Sequence, residues 1–97
     1  MKSGFTLHIP KSFESRLAAL SDGLKQTAVK TLLLLSRDPR HPSLKTHKVK
    51  HAHGWYGGDV YEAYVTMKYR VTWEYGPDQG MITLRNIDNH DECFKKG

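Results

Sequence analysis

The chain has 97 residues, 38% of them hydrophobic, and a formal net charge of +5, with a pI near 9.4. That is the length of one domain, able to bury roughly two thirds of its unfolded surface without a metal or a cross-link. The lone Cys93 excludes an internal disulfide and fits a reducing cytosol. The positive excess favours phosphate-rich partners, anionic membranes or an acidic protein, without choosing among them.

"FTLHI" alternates Phe5, Leu7 and Ile9 against Thr6 and His8, the pattern of a short half-buried strand. Pro10 breaks it and opens a helix in which Phe13, Leu17 and Leu20 share a face. "SDG" then punctuates the chain, with Gly23 suited to a helix C-terminus. A second helix is expected from about Leu24 to Ser36. Its stripe of Leu24, Ala28, Leu32 and Leu35, widened by Val29 and Leu33, implies packing on both a neighbouring helix and a sheet. "RDPRHPS" ends the helical part. "LKTHKVK" reads as a polar strand and "HAHGWYGGD" as a turn-rich connection. "VYEAYVTM", "YRVTWEY" and "MITLRNI" alternate as strands, the last two joined by a hairpin over Gly76 to Gly80.

Nothing at the amino terminus resembles a secretion signal. The longest apolar run, Leu32 to Leu35, is far below the roughly 20 residues of a membrane span, so the expectation is a soluble cytoplasmic protein. The expected order is β-α-α-β-β-β-β in one domain over residues 1–97. Strands grouped after a helical pair give an α+β fold: a curved antiparallel sheet with the helical hairpin on one face. The period of two assigns Tyr61, Ala63, Val65, Tyr69, Val71, Trp73 and Tyr75 to the helix side. Glu62, Tyr64, Arg70, Thr72 and Glu74 fall on the opposite, open side, as ordinary solvated positions or as a site.

Taken together, "HPSLKTHKVK", "YRVTWEY" and "ITLRNIDNHDECF" resemble the RelE/ParE toxin superfamily of type II toxin–antitoxin systems, the histidine-containing ending being similar to the HigB-like and YafQ-like branches. The resemblance spans nearly the whole chain and implies the same element order. It implies a ribosome-dependent messenger-RNA endonuclease with a cognate antitoxin, the ribosome and messenger RNA as partners, and no cofactor. Arg70 matches the arginine that contacts the scissile phosphate, His90 the histidine after the last strand, Phe94 the aromatic beyond it, and His47 a histidine on the second strand. Tyr64 and Lys68 stand where the YafQ-like branch has a histidine and an aspartate, and the lysines that RelE uses near Glu62 and Tyr64 are missing, which leaves the acid–base assignment open.

Metal-free RNA cleavage needs a base for the 2′-hydroxyl, an acid for the leaving 5′-oxygen and cations for the phosphate charge. Imidazole suits either proton role, and guanidinium suits phosphate. His47 or Glu62 is the expected base, His90 the acid and Arg70 the phosphate clamp. Lys45, Lys48, Lys50, His51, His53, Lys68 and Arg85 would supply a field for the RNA backbone, and Phe94 or Tyr64 would stack a base. The plainer reading of Arg70 is an arginine paired with Glu62 or Glu74, and that of His90 a turn residue. A metal site on His47, His51 and His53 is disfavoured by Lys48 and Lys50, which repel a dication. The alternatives in function are a ParE-like protein that inhibits DNA gyrase, or an inactive relative that binds an antitoxin and DNA.

Overall fold

The computed structural model describes residues 4–89. Strand β1 (Thr6–His8) leads into helices α1 (Lys11–Ala18) and α2 (Asp22–Arg37). A 3₁₀ turn (Pro42–Leu44) follows, then β2 (His47–His53), β3 (Asp59–Tyr64), β4 (Tyr69–Tyr75) and β5 (Met81–Asn89). The expected element order and α+β architecture hold.

The five strands form one sheet in the order β1-β5-β4-β3-β2. β2–β3, β3–β4 and β4–β5 are antiparallel, but β1 pairs with β5 in parallel. The sheet is therefore mixed rather than wholly antiparallel. Two backbone bonds fix β1 there: Phe5 N donates to Ser36 O at the end of α2, and Thr6 N to Gly80 O at the start of β5. Neither partner is near in sequence, so local pattern carries no sign of the direction.

Ser21 caps α2, its hydroxyl accepting from Leu24 N at 3.4 Å. Gly23 thus lies in the first turn of α2, and the boundary that "SDG" marks is a helix start, not a helix end. Ala28, Thr31, Leu32 and Leu35 are the buried residues of α2. Val29 and Leu33 are 43% and 57% exposed, so the apolar stripe is wider than the face the fold buries.

The core lies between the helices and one sheet face. It holds Phe13 of α1, Ala28, Leu32 and Leu35 of α2, Leu44, and Ala63, Val71, Trp73, Ile82, Leu84 and Ile87 of the sheet. Trp73 is its largest fully buried side chain. Tyr61 stacks on it at 5.0 Å, and Tyr75 meets it edge-on at 5.0 Å. The helix-side assignment of β3 and β4 is as expected for Tyr61, Ala63, Val71 and Trp73.

Two irregularities shape the polar side of the sheet. β2 runs on through His51 and His53, which the sequence places in a connection; the continuation needs a register shift between Lys48 and His53, with His51 at φ 63°. In β5 a second shift puts Asn86 opposite Thr72 but Leu84 opposite Trp73, leaving Arg85 as the extra residue.

Leu35→Ala should lower stability by about 2–5 kcal/mol, whereas Leu33→Ala should stay within about 0.5 kcal/mol, as read from urea midpoints. Burial raises the Tyr75 hydroxyl above its ordinary 10.0, with Arg40 pulling it down and Tyr61 pushing it up. A raised folded-state pKa stabilises below the unfolded value and loses that contribution as pH rises through the folded one. Wild-type stability should therefore fall with pH above about 10 more steeply than that of Tyr75→Phe, measured by denaturation across that range.

Candidate active site

Strand register brings three chemically active side chains to one patch. His47 of β2 stands opposite Glu62 of β3. Tyr64 of β3 stands opposite Arg70 of β4, and Glu62 opposite Thr72. All lie on the face away from the helices.

Glu62 is the centre of the patch. Its Oε1 accepts from His47 Nε2 at 3.1 Å and from Arg70 Nη1 at 3.3 Å, and its side chain is 1% exposed. Arg70 Nη2 donates to Met67 O at 2.7 Å. The guanidinium also lies on the Tyr64 ring, 3.5 Å from its centroid, with Lys45 Nζ at 5.6 Å from the same ring. His47 is different: its side chain is 49% exposed, and Nδ1 stands 3.1 Å from Lys45 O. Both imidazole nitrogens therefore face acceptors, one a carboxylate and one a neutral carbonyl. The bond to the carboxylate is the stronger. A proton exchanged with a substrate would pass through Nδ1, while Glu62 holds Nε2 and the ring plane.

The sequence leaves open whether the positions opposite the core are solvated. They are buried: besides Glu62 and Arg70, so are Thr72, Glu74, Thr83 and Asn86. The face is a polar layer, and burial of its charges demands pairing. Glu74 accepts from Trp55 N at 2.9 Å, Tyr56 N at 3.2 Å and Arg85 Nη1 at 2.7 Å. Thr72 and Glu74 belong to the polar set of "YRVTWEY", so the alternation already marked them; Trp55 and Tyr56, in a turn-rich segment, carried no such signal.

Other expected site residues are spread out. Lys45, in a left-handed conformation at φ 51°, stands beside the patch. Lys48 is opposite Tyr61, a helix-side residue, so it points away from Glu62. Lys50, His51 and His53 continue along β2, an outer strand of the sheet. Lys68 is exposed in the turn between β3 and β4, next to Met67. Arg85 belongs to the Glu74 cluster rather than to the His47 patch. Tyr64 has a guanidinium over its ring, which leaves that face unavailable to a base. His90 and Phe94 lie outside the described residues. Among the described residues, no group of three or more His, Cys, Asp or Glu is placed to hold a metal ion, and no helix is long and apolar enough to cross a membrane.

No family model matches the chain, and no curated protein does. Solved structures do. The toxin of the archaeal RelE–RelB complex from Pyrococcus horikoshii superposes with a TM-score of 0.70 at 17% identity, covering 89% of this chain and 94% of that one. E. coli toxin RelE, as a doubly substituted mutant in the free state, gives 0.65 at 11% identity over 96% and 93%. E. coli YafQ gives 0.61 at 14% identity over 93% and 98%. The fold is thus that of RelE/ParE toxins, as the sequence resemblance implies.

Glu62→Ala would leave Arg70 buried without its carboxylate and should cost about 3–5 kcal/mol of stability. His47→Ala, at a half-exposed ring, should cost about 1 kcal/mol or less. Urea denaturation of the two variants checks the contrast; equal losses would show that Glu62 does not anchor the patch through Arg70.

Proposed function

We propose, with the RelE/ParE toxin fold as premise, that the protein is the toxin of a type II toxin–antitoxin pair and cleaves messenger RNA on the ribosome without a metal. The observation that carries this reading is the convergence of His47, Glu62 and Arg70 on one patch of a basic protein. Cognate antitoxin, ribosome and messenger RNA are its proposed partners.

In this reading His47 is the base. Its Nδ1 leaves the Lys45 carbonyl and takes the proton of the 2′-hydroxyl as the 2′-oxygen attacks phosphorus. Glu62 is too deeply buried to touch RNA; it holds the ring and stabilises the imidazolium that forms, the role of the carboxylate in a hydrolytic triad. Arg70 sets a permanent positive charge beside the phosphate as negative charge grows on it. The bond from phosphorus to the 5′-oxygen then breaks, leaving a cyclic 2′,3′-phosphate. His90, assigned from the sequence, protonates that oxygen. Lys45 and Lys68 flank the patch and would hold neighbouring phosphates.

One observation favours a different reading, that of a ParE-like toxin that cuts nothing. Arg70 is nearly buried and is bound to Glu62, Met67 O and Tyr64, which suffices for a structural role.

Expression in a bacterial host separates the two. The expected result is growth arrest with new 5′ ends in transcripts. His47→Ala should restore growth and lower the cleavage rate by roughly 10²- to 10⁴-fold, the usual share of a positioned base. Arrest with intact transcripts and a DNA-damage response would replace the nuclease reading by the gyrase one.

A further inference from the structure

A buried carboxylate needs partners, and those of Glu74 serve one loop. Its oxygens accept from the backbone N–H groups of Trp55 and Tyr56 and from Arg85. Gly54 lets that loop approach: a Cβ there would collide with Glu74 Oε1 and Gly58 O. Gly54 N donates to Gly58 O at 2.9 Å and closes the turn. Tyr56 is part of the frame, its ring packed on Gly76 and its hydroxyl 3.4 Å from Thr83 Oγ1.

Trp55 is not part of that frame in the same way. It is 54% exposed. Arg85, whose side chain is only 11% exposed, lies on its inner side with the guanidinium 4.4 Å from the ring centroid. The indole is thus supported on one face by a fixed cation and presents the other to solvent. Tyr64, the aromatic of the His47 patch, is already engaged, because its ring carries Arg70.

Both clusters occupy the polar face of the sheet. Glu74 is four residues along β4 from Arg70, about 14 Å at roughly 3.4 Å per residue. Between them lie the register partners Thr72 and Asn86. Both are buried, and neither Thr72 Oγ1 nor Asn86 Oδ1 has a hydrogen-bond partner among the described residues.

We infer that the outer face of Trp55, backed by Arg85 and held by Glu74, is a stacking platform for a base of single-stranded RNA flanking the cut. The choice of RNA as occupant rests on the proposed cleavage of messenger RNA. An aromatic face that is rigid and outward suits any base, because every base has a π-face, and a basic protein draws the backbone past it.

The platform is tested by fluorescence on the full chain. Trp73 is fully buried, so quenching by an added oligonucleotide reports on Trp55. The probe is a short 2′-O-methyl oligoribonucleotide, which cannot be cut. It should quench wild-type emission, and Trp55→Ala should weaken binding roughly 5- to 100-fold, the range for loss of one stacked base. Trp55→Phe should keep most of the binding, and Leu33→Ala, at an exposed position of α2 outside the polar face, should bind as wild type. Absence of quenching, or equal affinity of wild type and Trp55→Ala, overturns the platform. If Trp55→Ala loses RNA binding while the wild type cuts no transcript, the platform stands and the nuclease reading falls. If Trp55→Ala binds RNA unchanged but no longer binds the antitoxin, the platform is a protein contact and the inference is wrong. The exposed ring makes a folding defect in Trp55→Ala a small risk; thermal melting of each variant checks it, and Trp55→Phe keeps the test decisive.

Discussion

Glu62 loses all contact with water and still has to be compensated. That single requirement organises the polar face of the sheet. The carboxylate draws a guanidinium from β4 and an imidazole from β2, so three consecutive strands are tied at one point. The guanidinium in turn is pressed on Tyr64 and fastened to the Met67 carbonyl. Removal of either charge would leave the other in a medium that solvates it poorly, which is why such groups persist together. The arrangement also sorts the residues by exposure: Glu62 and Arg70 are held inside, and His47 stands at the rim.

The same device recurs further along β4. Glu74 is buried and compensated by Arg85 and by two backbone N–H groups. Each buried carboxylate thus fixes one half-exposed ring, His47 in one case and Trp55 in the other. The sheet is consequently a boundary between two unlike interiors. The helix side is apolar and packs through shape. The other side is polar and packs through directed bonds, which tolerate less displacement because an orphaned buried polar group costs about 1–3 kcal/mol. Rigidity of that kind is what a site needs if reacting groups are to stay in place.

A fold shared at low identity says little about chemistry, since one fold carries many functions. On the polar face of this sheet stands a histidine–glutamate pair with a neighbouring arginine. Function in such a case follows from what these side chains touch, and kinship alone does not supply it.

Much of this was legible in the chain itself. Alternation in "YRVTWEY" and "VYEAYVTM" assigned the core side and the polar side, because a strand's side chains can point only two ways. The spacing of Ala28, Leu32 and Leu35 announced the buried face of α2. Other features depend on partners distant in sequence. The parallel seat of β1, the extension of β2 through His53 and the bulge at Arg85 are settled by which backbone groups meet, and no local propensity encodes that. The use of "SDG" as a helix start is by contrast local, since Ser21 accepts from Leu24 N three residues on. Val29 and Leu33 look like core residues by spacing, yet both stay exposed on α2. Whether Arg70 paired with Glu62 or with Glu74 was likewise undecidable from spacing. Residue types and periodicity determined which groups share a face; strand register, set by long-range hydrogen bonds, decided which of them touch.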